Sequence, residues 1–385
     1  MSLKILHTSD WHLGKIFKET DFDLLPIQEL ILKEFKKIVE KENPQIILIA
    51  GDVFDGYNPP FKAEKIFYET ITSIAKNSLV IVVAGNHDSP EKLQISQPLI
   101  IGKHSILIVS NLFEDNFNIF ENDRFKIECE DKFIKVKFKE FNKIVAIKAI
   151  PYLSEVRMGL SGDNFLRELK EIISKEPKFT CDYFIFVSHL FIRGAQKSGS
   201  ERIIQIGEFI EIPYEFLPKT ANYIALGHLH KYQNINKAIY SGSIYPFDIQ
   251  EVEHKKGVCF WQEDNFHFIE FSNIPKIKKL EFETIEDAIK FSLDEDSFYF
   301  IVIKSTKEYT PYHVGRLLEK YKDKLINWRF EIEEIPEEEK TIDVLKLTDV
   351  ELFKEFYKYK YNEEPDEEIL KLFLQCLEEV RNASS

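Results

Sequence analysis

Short apolar runs alternate with helical patterns along the first part of the chain. Residues 3–7, 45–50 and 79–84 are rich in Ile, Val and Leu and read as strands buried on both faces. Between them, residues 24–39 and 63–75 place apolar side chains at helical spacing. The order is βαβαβ, which predicts a sheet with parallel strands covered by helices. Each of these strands ends in a polar cluster: Asp10-Trp11-His12, Gly51-Asp52 and Gly85-Asn86-His87-Asp88. Two later runs, 183–187 and 223–226, end in Ser188-His189 and Gly227-His228-Leu229-His230. Ligands in open α/β sheets gather at the carboxyl ends of strands, and Gly or Ser at four of the five turns lets backbone approach a bound group.

The middle of the chain differs. Residues 106–109, 125–128, 133–138 and 144–150 read as short alternating strands, 160–173 as a helix, and 238–241, 257–261 and 266–271 as further strands. This predicts two packed sheets with helices outside. Ile274-Pro275-Lys276 marks a boundary. Beyond it, strands at 279–283, 298–304 and 326–333 with helices at 285–292 and 311–321 predict a small α+β unit. The expected domains are 1–274, 275–335, an acidic linker at 336–347, and a helical region at 348–385. In the last region Thr348-Asp349-Val350-Glu351 fits a capping box, and Pro365 followed by Asp366 opens a second helix. The apolar positions are Leu352, Phe353, Phe356 and Tyr357 on the first helix, and Ile369, Leu370, Phe373, Leu377 and Val380 on the second.

Composition narrows the class. At 385 residues, 44% of them hydrophobic, the chain can form two or three domains with a sizeable core. No apolar run approaches the ~18 residues of a membrane span, and the N-terminus has no signal-like pattern. Cys129, Cys181, Cys259 and Cys376 are scattered without a Cys-x-x-Cys pair and read as reduced thiols of a cytoplasmic protein. The net charge of −14 argues against a stand-alone DNA binder. Half of that charge sits in residues 336–385, which carry 14 acidic and 7 basic side chains. A DNA-acting protein that works with a partner therefore remains open.

The clusters carry the chemistry. Asp10 and His12 are two apart at a strand end, as are His228 and His230, so each pair can face one ion. Asp52 has two oxygens and can bridge two cations. Asn86 offers an amide oxygen, and the adjacent His87 can face a reacting group, with Asp88 placed to orient its ring or stabilise its charge. His189 follows its strand directly. This mixture of carboxylate, amide and imidazole suits a pair of divalent transition ions, and such a pair points to phosphate-ester hydrolysis. Taken singly, Asp10 with His12 is as readily a capping Asp beside a surface His, an Asp after a Gly is more often a turn residue, and a lone strand-end His is more often structural. His7 reads as a core residue, and His104, His254, His267 and His313 read as surface residues. The polar segment 193–202 fits either a contact to a DNA backbone or an ordinary solvated loop.

The sequence resembles the calcineurin-like metallophosphoesterases, and within them the SbcD branch of the double-strand-break repair nucleases. The likeness runs through Ile5-Leu6-His7-Thr8-Ser9-Asp10-Trp11-His12-Leu13-Gly14, Gly51-Asp52-Val53-Phe54-Asp55, Pro59-Pro60, Ala84-Gly85-Asn86-His87-Asp88-Ser89, Ser188-His189 with Gly194-Ala195, Tyr223-Ile224-Ala225-Leu226-Gly227-His228-Leu229-His230, and Ser241-Gly242-Ser243. It implies a four-layer α-β-β-α sandwich with a small α+β capping domain and a C-terminal helical hairpin. It implies that Asp10, His12, Asp52 and His230 hold one ion and Asp52, Asn86, His189 and His228 the other, with Mn²⁺ favoured over Mg²⁺ or other divalent ions. His87 would act on the phosphate, and Asp55 would have an unassigned supporting role. The implied activity is 3′→5′ exonuclease on duplex DNA and endonuclease on single strands and hairpins, in the cytoplasm. The implied partners are DNA, a second copy of the chain and an SbcC-type ATPase docked on residues 348–385. Helices 24–39 and 61–77 are candidate dimer surfaces. The C-terminal helices could instead pack on their own nuclease domain. Two alternatives stand beside this. One is a phosphoesterase acting on a small or protein phosphoester, although Gly56 follows Asp55 where protein phosphatases of this fold have Asp-Arg. The other is a non-catalytic scaffold, which would be expected to lack one or more of these residues.

Overall fold

The apolar runs form strands because both of their faces find cover. Successive side chains on a strand point to opposite faces. Leu6, Ile47, Ile49, Val80 and Val82 pack into one core cluster with the helices Leu25–Glu42 and Phe61–Ile74. Ile5, Ile46, Leu48, Leu79, Ile81 and Val83 pack into another, against a second sheet. The computed structural model describes residues 2–95, 104–112, 120–199, 211–263, 265–304, 309–331, 349–361, 363–366 and 369–374.

The first sheet has six strands in the order Asn265–Glu270, Gly257–Gln262, Lys4–Thr8, Ile46–Ala50, Leu79–Val83 and Ile106–Val109. Its last four strands run parallel, and Gly257–Gln262 closes against Lys4–Thr8 antiparallel. The second has eight, in the order Gln233–Ile235, Ala238–Tyr240, Tyr223–Gly227, Tyr183–His189, Lys143–Ile150, Phe133–Phe138, Phe125–Glu130 and Phe120–Glu121. Helix Gly162–Ser174 covers its outer face through Phe165, Leu169 and Ile173. The layers are therefore helix, sheet, sheet, helix, as expected. The strands Lys4–Thr8, Ile46–Ala50, Leu79–Val83, Tyr183–His189 and Tyr223–Gly227 bring their carboxyl ends to one rim between the sheets.

A third sheet of three parallel strands, Lys276–Phe282, Ser297–Lys304 and Leu325–Glu331, carries helices Ile285–Lys290 and Pro311–Tyr321 on one face. Its first strand starts three residues before the expected 279. It is an edge strand held by the backbone ladder, and its lysines hide the apolar alternation. The other face of this sheet meets a two-stranded hairpin, Ile16–Phe17 with Phe22–Asp23. Phe17 lies edge-on to Phe300 at 5.8 Å, and Phe22 to Phe298 at 5.5 Å. Thr20 Oγ1 donates to the Ile326 carbonyl at 2.7 Å. Two-residue strands are too short for periodicity to show, so this hairpin has no signature in the sequence.

Residues 1–331 form one compact unit and 332–385 another. In the second, helix Asp349–Tyr361 and the helical residues 369–374 meet through Phe353 and Phe373, stacked at 4.1 Å. Asp366 Oδ1 accepts from the Ile369 N–H at 2.8 Å, capping the second helix. Leu352, Phe356, Leu372 and Leu374 are exposed. Thr348, Leu377, Val380, the expected linker 336–347 and residues 200–202 of the polar segment lie outside the described residues. Among the described residues no helix is long and apolar enough to cross a membrane.

One buried charge is unrelated to the strand-end clusters. Lys148, 5% exposed, donates to the Lys175 carbonyl at 2.9 Å and lies 5.3 Å over the Phe133 ring. Burial pushes its amine down to about 7. Between that value and the unfolded pKa near 10.5 the unfolded chain binds the extra proton, so folded stability rises with pH through this window. Lys148→Met removes the titrating group. Urea unfolding should therefore find the variant more stable than the parent at pH 7, with the gap narrowing as pH approaches 10.

Candidate metal centre

The first loop is built by turning one side chain away. Trp11 is buried against Phe35 and Phe67 in the helix layer, with its Nε1–H donated to Thr8 Oγ1 at 3.0 Å. Asp10 and His12, on either side of it, face the rim. Asp10, His12, Asp52 and His228 all have left-handed backbone, at φ 52°, 44°, 49° and 97°. That conformation is unfavourable for such residues. It is held by loop-to-loop hydrogen bonds: Asp10 N–H to the Gly51 carbonyl, His12 N–H to that of Asp52 and Leu13 N–H to that of Val53, at 2.9–3.0 Å. Gln28, from helix Leu25–Glu42, donates to the carbonyls of Trp11 and His12 at 2.9 and 2.8 Å.

All seven expected ligands come together, and all are buried. His12 Nε2 lies 3.2 Å from His230 Nε2, with Asp10 Oδ1 4.0 Å from the latter. Asn86 Oδ1 lies 2.9 Å from His189 Nε2 and 3.0 Å from His228 Nδ1, and those two nitrogens are 3.3 Å apart. Asp52 Oδ2 stands between the two groups, 3.6 Å from His12 Nε2 and 3.4 Å from His189 Nε2. Donor atoms converge within 4.8 Å in three sets: Asp10, His12 and His230; Asp10, Asp52 and His189; and His12, Asp52 and His87. His87 is thus close enough to be a donor. It differs in that Nδ1 rests on the Asp55 carbonyl at 2.9 Å, while Nε2 stands 4.0 Å from Asp52.

The donor set fits a pair of ions. Octahedral ligands at ~2.1 Å from a divalent ion stand about 3 Å from their neighbours, which matches the separations of 2.9–3.3 Å between nitrogens and oxygens here. Nitrogens facing each other at such distances share at most one proton, so the arrangement leaves lone pairs to be satisfied. Burial pushes His12 down to about 3 and His228 well below its ordinary value, which keeps both neutral. At His189 burial acts downward too, but the charge and hydrogen bond of Asp52 outweigh it and push the ring up to about 9. A metal ion bound there displaces a proton.

Supporting residues complete the centre. His189 Nδ1 donates to the Ala50 carbonyl at 2.8 Å, which leaves Nε2 facing inward. The expectation that Asp88 orients the His87 ring needs correction. Its carboxylate accepts from the backbone N–H groups of Val53, Phe54 and Gly85 at 3.2, 3.0 and 2.8 Å, so it ties two loops together. Burial raises it to about 6. The His87 ring is held by Asp55 instead. Asp55 Oδ1 also lies 3.3 Å from His12 Nδ1 and accepts from Lys15 Nζ at 3.2 Å. Arg157, on the short helix Glu155–Met158, donates to the carbonyls of Gly85, Tyr152 and Asp88 at 3.1–3.2 Å, clamping the loop that carries His87. Gln28, Arg157 and Glu251, whose Oε1 is 3.1 Å from His230 Nδ1, were not singled out from sequence. Each lies outside the strand-end clusters, with no local pattern to mark it. His7 is buried with Nδ1 3.1 Å from the Tyr223 hydroxyl, away from the centre as expected. His267 is exposed as expected, whereas His104, His254 and His313 are half-buried.

The sequence profile of the calcineurin-like phosphoesterase family matches residues 3–232. The SbcD component of nuclease SbcCD from Bacillus subtilis (strain 168) is 29% identical over 405 residues, covering 97% of this chain and 97% of its own length. The protein of the same name from Staphylococcus epidermidis (strain ATCC 12228 / FDA PCI 1200) is 30% identical over 288 residues, covering 74% of this chain and 72% of its own.

Gly85 tests how tightly the loops are fitted. A Cβ there would collide with the carboxylate and backbone nitrogen of Asp52. Gly85→Ala should weaken divalent-ion binding about 10–100-fold in calorimetric titration, the range seen when a ligand's support is disturbed. Unchanged affinity would show that Asp52 does not depend on this contact.

Proposed function

The chain belongs to the calcineurin-like phosphoesterase family, and on that premise we propose that it is the nuclease subunit of an SbcC–SbcD-type DNA repair complex. The observation that carries the hydrolytic reading is the pair of buried donor groups with Asp52 Oδ2 between them. In this reading Asp10, His12, Asp52 and His230 hold one divalent ion, and Asp52, Asn86, His189 and His228 the other. Two bound ions supply Lewis acidity toward a phosphodiester and a nucleophile at neutral pH. His87 has a separate task. The Asp55 carbonyl can only accept, so the ring keeps its proton on Nδ1 and turns Nε2 to the reacting group. Protonated there, Nε2 donates a hydrogen bond to the phosphate and assists the departing oxygen. Arg157 and Asp88 keep the His87 loop in place from behind.

The relatives' name supports DNA as substrate and an SbcC-type partner. Mn²⁺ as the working metal, 3′→5′ exonuclease with single-strand and hairpin endonuclease activity, homodimer formation and a cytoplasmic location extend the same reading. The exposed Leu352, Phe356, Leu372 and Leu374 support the C-terminal helices as a helix-in-groove element for the ATPase. In the same reading the third sheet caps and positions DNA.

With Mn²⁺ and end-labelled duplex DNA, His87→Ala should lower kcat by about 10²–10⁴-fold and still bind two ions, whereas Asp52→Ala should lose both binding and turnover. Absence of nuclease activity with an SbcC-type partner and ATP present would refute the reading, and preference for phosphomonoesters over DNA would replace it with a phosphatase. A chain ending at Glu339 should lose the ATPase in a pull-down while keeping its metal stoichiometry. Retained ATPase binding would move the docking site elsewhere.

A further inference from the structure

Ser241-Gly242-Ser243 and residues 249–256 carry a buried polar cluster that the hydrolytic reading leaves unused. The helical turn Ile249–Glu251 places Glu251, fully buried, with Oε1 3.1 Å from His230 Nδ1. Its other oxygen accepts from Lys256 Nζ at 2.7 Å and from Ser243 Oγ and the Phe247 N–H at 3.3 Å each. Lys256, also buried, donates to Ser243 Oγ at 2.6 Å and to the His230 carbonyl at 3.1 Å. The Ser243 N–H reaches the same carbonyl at 3.1 Å. An ammonium has three protons, and these three acceptors can take all of them. His230 is therefore gripped twice, at its ring by Glu251 and at its backbone by Lys256 and Ser243. At the other end of the loop, Ser241 Oγ lies 2.8 Å from Ser9 Oγ, which donates to the Asp10 carboxylate. One loop thus supports two residues of the same donor group.

A carboxylate beside imidazole Nδ1 accepts a hydrogen bond from it, which keeps the proton on Nδ1 and turns the Nε2 lone pair toward His12 Nε2 and Asp10. A buried ion pair is a costly filler, and apolar side chains of similar volume would serve stability as well or better. Its placement against one histidine is what needs an explanation. We propose that Glu251, held by Lys256, is a positioning residue that fixes the tautomer and orientation of His230 for one of the two ions. This rests on the two-ion reading above.

The test is titration of the metal-free full chain with Mn²⁺, following free Mn²⁺ by its paramagnetic resonance signal. The parent should bind two ions; fewer than two would overturn the two-ion reading itself, before any variant is compared. Glu251→Gln should weaken one ion about 10–100-fold and leave the other within about twofold. The double variant Glu251→Leu with Lys256→Met removes the buried charges and so guards against simple misfolding. It should unfold thermally no earlier than the parent yet still show one weakened ion. Parental affinity for both ions in that double variant would show the pair to be structural only. Equal weakening of both ions in Glu251→Gln would likewise overturn the proposal.

Discussion

Asp10 and Asp52 are buried in one centre, with donor atoms that lie within 4.8 Å of each other and of His189. Burial pushes Asp10 up, with Asp52 adding to the effect. At Asp52 burial acts the same way, but the charges of His189 and His87 outweigh it and hold the carboxyl well below its ordinary range. Two carboxylates in one dry site cannot both ionise at low cost unless positive charge stands between them. The imidazoles supply part of that charge, and divalent ions would supply the rest. The remaining structure can be understood as what keeps this charge arrangement from relaxing.

Four of the site residues sit in left-handed backbone, each at a cost of roughly 1–3 kcal/mol. Local sequence offers no reason for them to stay there. Hydrogen bonds between the loops after Lys4–Thr8 and Ile46–Ala50, the Asp88 carboxylate and the Gln28 amide offset the strain by leaving few loop groups unsatisfied. Glycine at 227 has the same role as glycine at 85. A side chain there would collide with the Ala50 carbonyl and separate the two sheets at the rim.

Support also comes from farther out. The hairpin Ile16–Phe17 with Phe22–Asp23 begins four residues after His12, and its two phenylalanines pack on the third sheet. Lys15, between His12 and the hairpin, is paired with Asp55. Asp55 in turn touches both His12 and His87. The segment that carries Asp10 and His12 is thus bounded on one side by the helix layer, through Trp11, and on the other by the third sheet, through Phe17.

The strand-end clusters were legible in the sequence because their information is local. An apolar run followed by a polar residue marks a strand end, and Asp-x-His or His-x-His spacing marks two side chains on one face. Asp10, His12, Asp52, Asn86, His189, His228 and His230 could be named on those grounds, as could two packed sheets with helices outside, from the βαβαβ order together with the short alternating strands that follow it. The partner of each group was not legible. Asp88 is adjacent to His87 in sequence but points to three backbone N–H groups, two of them on the loop after Ile46–Ala50. The ring it was expected to hold rests on Asp55, 32 residues away. Glu251 reaches His230 across 21 residues through a single helical turn. Hydrogen bonds at such separations depend on where loops from different strands end in space. That is decided only when the two sheets pack and bring their carboxyl ends to one rim.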